Sequence, residues 1–296
     1  MTEAALHTDT LPFRVLLDRA MVWTRRYLRS IALPLAVPLA VLNGLLGAVQ
    51  AGVLQQTLDP ESAGSAAATG LTCGMVVLTF AVAAVSYLIY SAVGAAAVDA
   101  VAGREVRPWR SLGFVVEPAV FGTLVLAGLL LGVSYLCCIV PILFVGPLLS
   151  LTVPAMVEED RRGFAALGRS AELIRYNPQR RFLANPLTKA FVLLLVSFLI
   201  SLLVALITTL PFQVAQQWML FRDMGLADEA SPPAAWMLWL QVPGAVVSSF
   251  VSIGVGLYAG FGLALLFFDL RKRKEGLDLE AAIAELDRER EGPWPG

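Results

Sequence analysis

Charged residues at the ends of two apolar runs are the first side chains in this sequence that could do chemistry. Glu158 and Asp269 each close such a run beside arginine-rich sequence, and a carboxylate next to a guanidinium forms charge-assisted hydrogen bonds. We therefore predict a salt-bridge network on one face of the protein, formed by Glu158, Arg169, Arg175, Asp269 and Arg271. Within it, one or both of Glu158 and Asp269 pair with Arg169, Arg175 or Arg271. The alternative is that each carboxylate is hydrated separately at an aqueous interface.

Hydroxyl groups inside the apolar runs form a second set of candidates. Ser86, Tyr90, Ser252 and Tyr258 could line a cavity that binds a lipid or a solute. In membrane proteins such side chains more often hydrogen-bond between packed helices. Packing and a cavity therefore remain two alternatives for these four residues.

Catalytic and metal-binding constellations are missing from the sequence. The single histidine, His7, lies in the N-terminal arm, so neither a Ser-His-Asp triad nor a zinc-binding helix can be assembled. There is no glycine-rich phosphate loop and no dinucleotide fingerprint. The three cysteines form no disulfide framework, and Cys137 and Cys138 are adjacent within an apolar run. We expect a non-enzymatic protein without a cofactor or metal, and one that does not bind nucleic acid.

The composition indicates that the candidate carboxylates and hydroxyl groups lie in or beside membrane-spanning helices. Hydrophobic residues make up 57% of the 296 residues and charged residues 15%, against ~45–50% and ~25% in soluble domains. Uncharged runs of about 18 residues or more predict membrane-spanning helices. We predict six spans, at 31–54, 71–98, 119–135, 138–156, 190–211 and 245–268. The third and fourth come from one uncharged run that is too long for a single crossing and must fold back.

The positive charges orient these spans. All of the 22 Lys and Arg residues except Arg222 fall within four segments, at 14–29, 104–110, 161–189 and 271–290. Six crossings place all four segments on one side, which the positive-inside rule makes cytoplasmic. The sequence thus predicts an integral protein of a bacterial cytoplasmic (inner) membrane with both termini in the cytoplasm.

Three amphipathic helices are predicted to lie on the cytoplasmic face, near 13–30, 104–114 and 162–176, because apolar residues recur there at helical spacing. The fold class is therefore an all-α polytopic membrane protein with six transmembrane helices and interfacial helices. A disordered arm at 1–12 precedes the membrane domain at 13–276. A cytoplasmic tail at 277–296 follows and contains a short helix.

Membrane lipids are the predicted partners. Basic residues near a membrane attract anionic headgroups by ~1 kcal/mol each. The predicted contacts with anionic lipid are Arg25, Arg26, Arg29, Arg180, Arg181 and Lys272. A membrane-protein partner or a second copy of the chain is a further expectation.

Two stretches carry a resemblance to a known family. They are LTVPAMVEEDRRGFAALGRSAELIR, from Leu151 to Arg175, and FFDLRKRKEGLDLE, from Phe267 to Glu280. Both resemble bacterial multi-span proteins related to the membrane domain of glycerophosphoryl diester phosphodiesterases. The resemblance implies the membrane architecture and the acidic positions Glu158 and Asp269. The catalytic barrel of that family is absent from this sequence, so the resemblance does not imply phosphodiesterase activity, and members without the barrel have no assigned role.

Two hypotheses on function follow. The first is a non-enzymatic inner-membrane protein that acts in assembly or scaffolding, or interacts with lipid. The alternative is a transporter or exporter subunit for a small amphiphile, which predicts a cavity touching Ser86, Tyr90 and Ser252.

Overall fold

The computed structural model describes residues 12–57, 66–137, 139–175, 185–223 and 241–275, and every regular element in these ranges is a helix. The predicted arm and tail, apart from Pro12, lie outside the described residues. The helices are α1 (Phe13–Tyr27), α2 (Leu33–Thr57), α3 (Ala66–Val101), α4 (Pro108–Val116), α5 (Pro118–Cys137), α6 (Ile139–Leu149), α7 (Thr152–Glu159), α8 (Phe164–Arg175), α9 (Pro186–Asp223) and α10 (Gln241–Glu275).

Helix α10 is the element against which the others pack. It contacts α1, α2, α3, α7, α8 and α9. Small residues on α10 allow this close packing: a Cβ added to Gly260 would lie 3.3 Å from Ala97 on α3, and one added to Gly256 would lie 3.0 Å from Tyr90. Since lipid supplies no hydrophobic drive between spans, such close backbone approach is the usual source of helix association in membranes.

The apolar face of helix α1 packs against other helices of the bundle. Leu16 and Ala20 are fully buried, and the Trp23 and Tyr27 rings lie 5.7 and 5.8 Å from the Phe261 ring on α10. A π-helical turn at Leu28–Ala32 joins α1 to α2. The sequence predicts a helix lying in the membrane plane at 13–30. The amphipathic pattern is present, but that orientation is not confirmed, because the stripe covers protein.

Four helical stretches are long and apolar enough to cross a membrane, namely Phe13–Ala51, Cys73–Val101, Pro186–Ile207 and Val242–Glu275. Helices α4 and α5 are bent by 77° at Glu117 and provide a fifth if the pair counts as one span. Among the described residues, the chain is therefore an all-helical protein with four to five apolar helices, which is consistent with a membrane protein. The count of six is not confirmed, and the predicted span at 138–156 is divided between α6 and α7.

Candidate functional site

The division between α6 and α7 is held by a side chain from α8. The Ser170 hydroxyl is fully buried, donates to the Leu148 carbonyl at 2.6 Å and accepts from the Leu151 backbone N–H at 3.0 Å. Pro154 lacks an N–H and its ring would collide with the preceding turn of a continuous helix. Ser170 thereby satisfies two backbone groups that the break leaves without helical partners.

A cavity of about 470 Å³ lies beside this break. Its walls come from α3, α5, α6, α7, α9 and α10, and most of its lining side chains are apolar or small. The lining includes Gly146, Leu149 and Val153 around the break, with Gly94 and Gly260 opposite. Ligand cavities are commonly of this size, with mostly apolar walls and a few polar groups.

The structure places one of the four predicted cavity residues in that lining. Tyr90 lines the cavity and makes a side-chain hydrogen bond with Ser252. Ser252 itself is not in the lining. The Ser86 hydroxyl donates to the Val82 carbonyl of its own helix, and Tyr258 packs against the buried core. Ser86, Ser252 and Tyr258 are thus not among the residues that line this cavity, and a cavity touching them stays a prediction.

An ion-pair network closes the adjacent end of the bundle, with Arg169 and Glu159 at its centre. Their side chains are 7% and 8% exposed. The Arg169 Nε and Nη2 atoms both donate to Glu159 at 2.9–3.0 Å, and Nη2 also donates to Glu275. Burial opposes the charge of Arg169, but the hydrogen bonds and charges of Glu159 and Glu275 outweigh it and raise the pKa of Arg169. Arg169 and Glu159 thus form a buried, bidentate ion pair, which fixes the relative position of the two side chains.

The network continues through Glu158. Arg104 Nη1 donates to Glu158 Oε2 at 2.8 Å, and Arg271 Nη1 donates to Glu158 Oε1 at 3.3 Å. Arg271 Nε also donates to Glu275 at 2.9 Å. In order of contact the network runs Asp99, Arg104, Glu158, Arg271, Glu275, Arg169, Glu159 and Arg161. It ties together the ends of α3, α7, α8 and α10.

Only some of the residues in the predicted salt-bridge network have the partners that were predicted for them. Glu158 pairs with Arg271, one of its three predicted partners. Asp269 does not pair with any of its three, and Arg273 Nη2 lies 2.9 Å from its Oδ1 and 2.7 Å from its Oδ2 instead. The Asp269–Arg273 pair follows from helix geometry, since residues four apart share one face of α10. Arg175 is exposed at the end of α8 and makes no ion pair within the described part of the chain.

A polar recess of about 560 Å³ lies next to the network. Three arginines and three carboxylates are among its lining residues, which are Ala95, Asp99, Arg104, Glu105, Arg110, Ser111, Phe114, Val157, Asp160 and Arg162. The Arg162 guanidinium lies 5.2 Å from the centre of the Phe114 ring and donates to the Met156 carbonyl at 3.0 Å. We refer to this group of residues as the charged recess.

Four of the six predicted lipid-contact residues lie within the described ranges. Arg25, Arg26 and Arg29 are exposed around the end of α1, and Lys272 is half-buried near the end of α10. Arg180 and Arg181 lie outside the described residues. Over the described ranges, no group of three or more His, Cys, Asp or Glu side chains is placed to hold a metal ion.

Comparison with known proteins adds no relative: no protein-family model, curated protein or solved structure matches this chain. The resemblance to the phosphodiesterase-associated membrane domain thus stays a prediction from its two motifs.

Sequence reasoning missed Ser170, Glu159 and Glu275. In the sequence, Glu159 is one of three consecutive acidic residues, Glu158, Glu159 and Asp160. No local signal distinguishes Glu159, which pairs with buried Arg169, from its neighbours. The sequence around Ser170 gives no indication of its role. That role depends on the backbone groups of Leu151 and Leu148, which lie 19 and 22 residues away along the chain.

Proposed function

We propose that this chain is an integral protein of a bacterial cytoplasmic membrane that binds a membrane lipid and catalyses no reaction. In this proposal it crosses the membrane six times, with both termini in the cytoplasm. The four to five apolar helices support membrane insertion, and the confinement of all but one of the Lys and Arg residues to four segments supports the orientation.

The observation that carries the proposal is the cavity at the α6–α7 break. A mainly apolar cavity of about 470 Å³ between helices of a membrane protein is suited to part of an amphiphile rather than to a charged solute. The ion-pair network at one end provides a rigid polar boundary, because it is tied to four helices. A lipid with its chain in the cavity would place its headgroup towards that end.

The test places a larger side chain in the cavity at a position where its Cβ is unobstructed. Gly146 lines the cavity, and a Cβ there would meet no atom within 4 Å. Gly132 on α5 is equally unobstructed but is not in the lining. The full chain is purified in mild detergent and its bound lipid is measured by native mass spectrometry. We expect Gly146→Leu to lose most of the bound lipid and Gly132→Leu to retain it; equal retention by both would refute the cavity as the lipid site.

One observation favours the alternative of a transporter or exporter subunit for a small amphiphile. Broken helices that line a midplane site are a feature of transporters, and α6 and α7 form such a break beside the cavity. Reconstituted vesicles that move a labelled lipid between leaflets, with loss of that activity in Gly146→Leu, would favour this alternative over static binding.

A further inference from the structure

The charged recess and the cavity follow one another along the same two helices. On α3, Gly94 lines the cavity and Ala95 and Asp99 line the recess. On α7, Val153 lines the cavity and Val157, one turn later, lines the recess. One helical turn is about 5 Å, so the recess is within reach of a headgroup whose chain occupies the cavity.

The recess offers hydrogen-bond donors to an anionic group. Arg110 makes no salt bridge with any described residue, and its side chain is exposed in the recess. Arg104 uses Nε for Asp99 and Nη1 for Glu158, which leaves Nη2 without a pair in those contacts. Guanidinium groups match phosphate oxygens in geometry and charge.

The same recess offers acceptors to a cation. Asp160 uses Oδ1 for Arg162, and Glu105 uses Oε2 for Arg107. Each carboxylate therefore has a second oxygen outside these pairs, and the Asp160 side chain is 89% exposed. With three cationic and three anionic side chains in its lining, the recess does not favour a headgroup with a large net charge of either sign.

The cationic part is best matched by a primary ammonium. Its N–H groups can donate to the free carboxylate oxygens, whereas a quaternary ammonium has no N–H and is recognised by aromatic faces. The aromatic ring in the recess, Phe114, already has the Arg162 guanidinium 5.2 Å from its centre. This contact competes with a second cation for the ring.

We propose that the charged recess selects a zwitterionic phospholipid with a primary ammonium, of the phosphatidylethanolamine type. Its phosphate contacts Arg110 and Arg104, its ammonium contacts Asp160 and Glu105, and an acyl chain enters the cavity. This inference rests on the lipid binding proposed above and adds the headgroup chemistry.

The test is a competition between headgroups on the full chain. Equimolar phosphatidylethanolamine, phosphatidylcholine and phosphatidylglycerol with identical acyl chains are added to protein in detergent, and bound lipid is counted by native mass spectrometry. The protein carries Arg25→Gln, Arg26→Gln and Arg29→Gln, so that these exposed arginines do not add anionic lipid. We expect the amount of bound ethanolamine lipid to exceed that of each competitor by about three- to fivefold. This is the ratio expected when one partly exposed ion pair contributes to binding.

Matched variants assign the two halves of the headgroup. Asp160→Asn with Glu105→Gln should lower the ethanolamine lipid to the level of the choline lipid. Asn is suited to position 160, whose backbone is left-handed with φ of 52°. Arg110→Gln should weaken all three lipids, because all contain phosphate, while Arg175→Gln, another exposed arginine, should change nothing.

The outcomes separate the two proposals. Equal binding of the ethanolamine and choline lipids, or preferred binding of the glycerol lipid, overturns the headgroup assignment while leaving lipid binding intact. Absence of every phospholipid from the unsubstituted protein overturns the proposed function itself. An ethanolamine preference that survives the Asp160 and Glu105 changes shows that the recess does not produce it.

Discussion

The Ser170 hydroxyl on α8 donates a 2.6 Å hydrogen bond to the Leu148 carbonyl at the end of α6. The same oxygen accepts from the Leu151 N–H, so one side chain replaces helical hydrogen bonds on both sides of a break. Backbone groups without partners are costly away from water. The break that borders the cavity therefore depends on α8, which lies outside the cavity wall.

Replacing Ser170 by alanine should destabilise the protein by about 1–3 kcal/mol, because two buried backbone groups lose their partner. Ser197→Ala is the matched control, since that buried hydroxyl donates to the Leu193 carbonyl of its own helix at 2.9 Å. Thermal unfolding in detergent measures both. Equal melting temperatures of the two variants would contradict the role assigned to Ser170.

Replacing Arg169 by methionine should cost about 2–3 kcal/mol, since buried Glu159 would lose its bidentate partner and keep the more exposed Arg161 at 2.9 Å. Adding Glu159→Gln to that variant should recover part of the loss, because it removes a buried charge that has lost its main partner. Arg175→Gln, at an exposed arginine on the same helix, should have little effect. If the double variant is no more stable than the single one, the two side chains are not energetically coupled.

Acidification should loosen the junction between α8 and α10. The hydrogen bond from Lys274 lowers the pKa of Glu172 below its ordinary value. A carboxylate with a lowered pKa contributes stability that is present above its unfolded pKa, about 4.3, and is lost as the pH falls through the folded value. The contribution is small because Glu172 is half exposed. Unfolding of wild type and Glu172→Gln between pH 7 and 3 should show a smaller decline for the variant; parallel curves would argue against this pair.

Single cysteines at Gln55 and Ala227 test the predicted orientation, in a chain whose three native cysteines are replaced by serine. Six spans with cytoplasmic termini place both positions outside, because each follows an odd number of crossings. A membrane-impermeant maleimide should label both in intact cells. Labelling after cell disruption alone would show that the orientation is reversed.

The exposed arginines around the end of α1 should contribute to binding of anionic membranes. Combined Arg25→Gln, Arg26→Gln and Arg29→Gln removes three charges worth ~1 kcal/mol each near a charged bilayer. Retention of anionic lipid by the purified protein should fall, and the fall should be smaller at high salt because screening already weakens the wild-type contact. Unchanged retention at low salt would exclude this surface as a lipid contact.

The sequence alone was sufficient for properties that are local along the chain. Long uncharged runs indicate helices suited to a membrane, because a spanning backbone must satisfy its own hydrogen bonds. The pattern around Leu16 and Ala20 predicts a helix with one apolar face, and a helix is present there at Phe13–Tyr27. It cannot indicate that this face packs on α10, because lipid and a neighbouring apolar helix select the same residue types.

Tertiary structure decided the partners and the position of the cavity. Arg169 meets Glu275, 106 residues away, a partner that no local pattern indicates. The Asp269–Arg273 pair, by contrast, is four residues apart on one helix and follows from helical spacing alone. The cavity lies at the α6–α7 break, and its lining includes Gly256 and Gly260 of α10 but not Ser252. Hydropathy and helical period are written into neighbouring residues, whereas ion pairs and cavities depend on which helix faces are brought together, and similar sequence patterns are compatible with several such arrangements.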